Sequence, residues 1–259
     1  ADITQAGNSN LADVFQETFG QNKAKATVVT TGDNNTVEID QINTESSRAS
    51  ATQTGNGNES VIAQGWGLIP SASTRLVATT EQNGNGHNAS ITQGGIENAA
   101  SIMQTGDDHI SAIRQEQYGR NANNVANSIQ TGSLNKSDIL QRGPSDQNTT
   151  NVTQGGSENE AVVSQDGGNT SFATITQSDI GNYANTWQWS AAASDVTVDQ
   201  SGLDNTVNSR QIGQRQTAKL TQSGFEGDAS NKQYGNDNAV TVTQSGDFNE
   251  SDILQDRGS

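Results

Sequence analysis

The chain has 259 residues, of which 29% are hydrophobic and 4% aromatic, and its 29 acidic and 13 basic side chains give a formal net charge of −16. So little apolar material excludes a thick globular core, the lack of cysteine excludes disulfides and thiolate metal sites, and the acidic balance disfavours nucleic acid and anionic lipid as partners. No apolar run approaches the roughly 18 residues of a membrane-inserted helix, and the start ADITQAGNSN has no basic-then-apolar leader, so any signal peptide is expected to have been removed.

Composition by itself reads as disorder; periodicity overrules it. A unit N-x-A-x-φ-x-Q-x-G, with φ aliphatic, recurs along the whole chain. In chain order its glutamine slot falls in pairs: Gln5 and Gln16, Thr30 and Gln41, Gln53 and Gln64, Gln82 and Gln93, Gln104 and Gln115, Gln130 and Gln141. Then come Gln154 and Gln165, Gln177 and Gln188, Gln200 and Gln211, Gln222 and Gln233, Gln244 and Gln255. Only Thr30 departs from glutamine. Within every pair the spacing is 11 residues, whereas the steps between pairs run from 11 to 18. One arc is fixed and the other absorbs the insertions, so the structural unit is two strands, and eleven pairs make eleven coils.

Two positions before the slot the residue is mostly aliphatic: Ile39, Ile62, Ile91, Ile102, Ile113, Ile139, Val152, Val163, Ile175, Val198, Val242 and Ile253 are the candidate core row. Four before it stands Ala, Ser, Thr or Val in every case, and six before it most often Asn. These positions share parity, and in a strand residues of one parity line one face; a helix would scatter them. The inward face is therefore Asn, small, aliphatic, Gln. Two residues after the slot, the fixed arc carries a turn glycine: Gly7, Gly32, Gly55, Gly84, Gly106, Gly132, Gly156, Gly202, Gly224 and Gly246, with Asp179 the one exception. Pro70 and Pro144 fall in variable arcs, where no ladder hydrogen bond is asked of them.

The expected fold is all-β: a two-sheet parallel β-solenoid of eleven two-strand coils, about 22–23 residues each, forming one domain over residues 1–259. Coils about 4.8 Å apart would give a rod roughly 50 Å tall. Parallel stacking puts like over like, so each glutamine can pass an amide hydrogen bond to the next. Little chain precedes Gln5 or follows Gln255, and the ends are expected to be uncapped strand edges, which template further pairing.

The stretches QTGNGNESVIAQ (Gln53–Gln64) and QYGNDNAVTVTQ (Gln233–Gln244) resemble the curlin repeat, Q-x-G-x-G-N-x-A-x3-Q. The sequence is similar to the curli major subunits over nearly its whole length. It departs from them at Thr30, in the glycine missing after Gln41 and Gln188, in the longer loops before Gln82 and Gln130, and in its number of coils. What the resemblance implies is a secreted structural protein that self-assembles into extracellular amyloid fibres of the bacterial biofilm matrix. It further implies an outer-membrane secretion pore and a nucleator subunit as partners.

Other residues admit a functional reading beside a bland one. His87 and His109 fall in the asparagine slot of adjacent coils; a metal or pH site is one reading, an imidazole standing in for Asn the other. A metal site wants three or four ligands, and two histidines supply too few. Asp107, Asp108 and Asp166 lie in arcs without the register of a calcium repeat. Outward threonines such as Thr174 and Thr176 form too few Thr-x-Thr pairs for an ice-binding face. Trp187 and Trp189 flank Gln188 and should point outward, as a lateral contact or a carbohydrate platform. No nucleophile elbow, phosphate loop or metalloprotease motif occurs, so no catalytic residue, metal or cofactor is assigned. A monomeric adhesin or ice-binding solenoid, or a polysaccharide-acting β-helix enzyme, remain the rival classes.

Overall fold

Strand follows strand through the computed structural model, which describes residues 1–17, 23–65, 73–117, 123–143 and 147–256. There is no helix among the described residues. Strands alternate between two sheets of eleven strands each, and every neighbouring pair is parallel. The first sheet begins with Asp2–Ala6 and ends with Ala239–Ser245; the second begins with Leu11–Glu17 and ends with Glu250–Asp256. In both, each strand lies beside the strand of the next coil, as a solenoid requires.

Register is held by the repeat. Gln93 lies beside Gln64 on one side and Gln115 on the other, and Gln104 lies between Gln82 and Gln130. One irregularity interrupts this, between Trp189 and Ala192. The core is the single layer between the sheets. Ile39, Ile62, Ile91, Ile102, Ile113, Ile139, Val152, Val163, Ile175, Val198 and Val242 are buried there with the small residues two positions before them. Each fully buried aliphatic contributes roughly 1.5–3 kcal/mol. In the outermost strands Asp2–Ala6, Leu11–Glu17 and Glu250–Asp256 the same positions are exposed or half-buried, Ile253 among them, because only one neighbouring coil covers them; in Ala239–Ser245 Val242 stays buried.

The fixed arc turns on two residues. The one two after the slot has positive φ, +122° at Gly106, and a Cβ there would sit 1.9 Å from the carbonyl oxygen of Gly132 in the next coil. Where glycine is replaced, Asp179 adopts the same left-handed backbone with φ 69°. A second left-handed residue follows two further on in all eleven arcs, and side chains of every kind occupy it, Ser9, Leu134, Glu158 and Phe248 included.

The variable arcs also do more than connect. Thr44–Glu45 and Ser73–Thr74, from arcs of successive coils, pair in a small parallel sheet of their own. Pro70 and Pro144 lie outside the described residues.

Candidate functional site: stacked amide ladders

The inward glutamines form two columns. In the second sheet, Nε2 of Gln16 donates to Oε1 of Gln41, which donates to Gln64, and so on through Gln93, Gln115, Gln141, Gln165, Gln188, Gln211 and Gln233 to Gln255. In the first sheet the column runs unbroken from Gln53 through Gln82, Gln104, Gln130, Gln154, Gln177, Gln200 and Gln222 to Gln244. Every bond points the same way along the rod.

The same amide nitrogens also cross the interface. Nε2 of Gln93 donates to the Val77 carbonyl at 3.0 Å, and Nε2 of Gln104 to that of Asn88 at 3.1 Å. One side chain therefore ties its coil to the next and joins the two sheets. Burying such an amide without partners would cost roughly 1–3 kcal/mol per group.

Thr30 breaks the first column. It is fully buried, and neither its hydroxyl nor Oε1 of Gln53 finds a hydrogen-bond partner. Gln5 lies beyond this break on an exposed strand and makes no side-chain hydrogen bond.

The asparagine columns work through the backbone, a role that the repeat count alone does not disclose. The N–H of Asn35 donates to Oδ1 of Asn10, that of Asn58 to Oδ1 of Asn35, and that of His87 to Oδ1 of Asn58. Most Nδ2 groups turn back to a carbonyl four residues earlier, as that of Asn159 does to Gly155 at 2.7 Å, whereas those of Asn35 and Asn148 reach the carbonyls of Gly55 and Gly168 and that of Asn124 has no partner among the described residues. His87 and His109 continue the column with the same geometry. Nδ1 of His87 accepts from the N–H of His109, Nδ1 of His109 accepts from that of Asn135, and each Nε2 faces the carbonyl four residues before it. That assigns the neutral Nε2–H tautomer to both rings. Burial lowers the pKa of both below the ordinary 6.5, against the weaker opposing pull of the Asn83 and Thr105 backbone carbonyls and then of Asp107 and Asp108.

Trp187 and Trp189 both project from the outer face. Among the described residues no group of three or more His, Asp or Glu is placed to hold a metal ion, and no helix is long and apolar enough to cross a membrane.

At each end of the rod the columns stop unfilled. Among the described residues no donor reaches Oε1 of Gln16. Gln255 donates only to the Ala239 carbonyl and Gln244 only to that of Asp228, where interior glutamines also donate up the column. One extremity offers acceptors and the other offers donors.

A family model, the curlin associated repeat, matches residues 1–42, 146–178 and 235–259. Over those three stretches the chain is similar to the curlin associated repeat. No curated protein matches the sequence. The three matched stretches fall in the first two coils, in the seventh and start of the eighth, and in the last. The coils between them share the same columns and register without interruption, apart from the irregularity after Trp189.

Proposed function

We propose that this curlin-like chain is a secreted structural protein that assembles by end-on β-stacking into extracellular amyloid fibres of a biofilm matrix. The observation that carries this reading is the polarity of the glutamine columns. A second copy placed on the Gln255 end in the register of the sheets sets Gln244 against Gln5 and Gln255 against Gln16, donor facing acceptor. The open ladder groups of the outermost strands would be satisfied in the same step.

By resemblance, the chain would leave the cell unfolded through an outer-membrane pore and meet a nucleating subunit. A thin core that closes only when several coils stack is compatible with that route. The role is architectural, with the chain's own copies as principal partner. Electron microscopy of the purified protein after standing, with fibre diffraction, tests it: unbranched fibres with a reflection near 4.7–4.8 Å along the axis are expected. A protein that stays monomeric at high concentration would overturn it. Replacing Gln5, Gln16, Gln244 or Gln255 should slow assembly more than the same change at Gln115 or Gln141; equal slowing at all six sites would refute end-on growth.

A further inference from the structure

One patch on the outer face of the second sheet differs from the rest of this acidic surface. The registers of Tyr183–Ala192, Thr206–Gln214 and Asp228–Tyr234 set Trp187 beside Arg210, and Arg210 beside Lys232. The Arg210 guanidinium lies 4.2 Å from the Trp187 ring centroid and 5.8 Å from that of Tyr234. Trp189 stacks against Trp187 with ring centroids 5.8 Å apart and is 46% exposed. A groove of about 740 Å3 runs alongside, lined by Ser164, Asn185, Asn208, Arg210 and Lys232. That volume falls within the roughly 300–1,000 Å3 of ligand clefts.

Charge separates this patch from six other basic side chains, which have carboxylate partners. Arg114 pairs with Asp138, Lys136 with Glu160, Arg142 with Asp166 and Arg215 with Asp237, each one coil away. Among the described residues neither Arg210 nor Lys232 meets a carboxylate, and Nε of Arg210 is buried without an acceptor. The amides of Asn185 and Asn208 likewise have no partner. Among the described residues the chain thus holds two cations and two free amide groups beside an aromatic ridge and supplies no carboxylate partner.

We propose that this patch binds an acidic polysaccharide, with sugar carboxylates at Arg210 and Lys232, hydroxyls at Asn185 and Asn208, and a ring against the open face of Trp189. Charge-assisted hydrogen bonds from a guanidinium are the stronger ones available here, and an aromatic ring offers an apolar platform beside them. A neutral glycan leaves both cations unneutralised. Asp252 adjoins Ser230 and Asp256 adjoins Tyr234, so carboxylates border the patch and confine a polyanion's charge contacts to Arg210 and Lys232. A sugar ring with its hydroxyls then suits Trp189 and the two amides better than a phosphodiester backbone does.

The test is calorimetric titration of the folded full chain with oligogalacturonate, a neutral cello-oligosaccharide of equal length and a single-stranded oligonucleotide. Oligogalacturonate should bind at least about tenfold more tightly than either comparator and weaken as salt rises. The R210Q/K232Q variant should lose about tenfold or more of that affinity, whereas Lys219→Gln on the other sheet should lose none. Lys232→Gln alone, at an exposed site, should weaken binding with the circular dichroism unchanged. Equal binding of the neutral glycan, tighter binding of the oligonucleotide, undiminished affinity in the variants, or no measurable binding would each overturn the proposal.

Discussion

The backbone N–H of His109 donates to Nδ1 of His87 at 3.3 Å, and the two imidazoles stack with centroids 5.1 Å apart and planes within 3°. Each ring performs both tasks of an asparagine, accepting at Nδ1 and donating at Nε2. The site is therefore built for neutral imidazole. A proton on Nδ1 would abolish the acceptor, and two protons would place like charges one coil apart.

Acid should weaken the rod here. In the unfolded chain each imidazole takes its proton near pH 6.5; in the folded chain burial defers this to lower pH. Between those values the unfolded state binds more protons, so stability falls as pH drops below about 6.5 and is level above it. Thermal melts followed by circular dichroism at pH 7 and pH 5.5 should show the loss. The H87N/H109N variant should show less of it, since asparagine keeps the column without titrating. An identical pH dependence in the variant would place the acid sensitivity elsewhere.

Thr30→Gln should stabilise the protein. The break at Thr30 leaves its own hydroxyl and Oε1 of Gln53 unpartnered in a buried layer. A glutamine there could donate to Gln53 and accept from Gln5, as its counterparts donate and accept in seven later coils. Satisfying groups of this kind is worth about 1–3 kcal/mol, which should raise the denaturation midpoint. Thr30→Val, which removes the threonine hydroxyl but leaves Gln53 unpartnered, should gain less. A glutamine variant less stable than the parent would mean that the layer has closed around the smaller side chain.

The columns were legible in the sequence because parity and spacing repeat without error: the fixed distance from Gln104 to Gln115 already defines a rung. Other features were not. Leu134 and Phe248 take a left-handed backbone, yet no residue type marks that position, because stacking against adjacent arcs dictates the conformation. Arg210 meets Trp187 only through sheet register, 23 residues apart in sequence, so no local motif announces the patch. The pairing of Thr44–Glu45 with Ser73–Thr74 depends on how two long arcs lie together, and their composition carries no strand period.

Turn backbone should respond oppositely at two positions. Leu134 has φ 56° and is 53% exposed, so Leu134→Gly loses little contact and relieves strain of about 1 kcal/mol. Gly106→Ala puts a Cβ against the Gly132 carbonyl at a φ of +122° and should cost more than about 1 kcal/mol. At Gly57, where φ is +65° and a Cβ meets nothing, Asn should be tolerated. Denaturant midpoints of the three variants give the ranking L134G above parent, G57N near parent and G106A below.

Charge should brake the end-on assembly proposed above. Setting Gln255 against Gln16 fixes the rest of the junction: Ile253 meets Val14 inside, while outside Leu254 meets Phe15, Asp252 meets Asp13 and Asp256 meets Glu17. The first two contacts are apolar; Leu254 and Phe15 are 65% and 49% exposed and would cover each other. The last two place carboxylates one strand spacing apart, which is destabilising. Screening length falls from roughly 30 Å at 0.01 M salt to about 8 Å at 0.15 M, so added salt should shorten the lag of fibre formation followed by an amyloid dye. The D252N/D256N variant should assemble quickly at low salt and respond weakly to more. If salt instead lengthened the lag, or left parent and variant equally affected, the glutamine columns of neighbouring copies would not be meeting in this register.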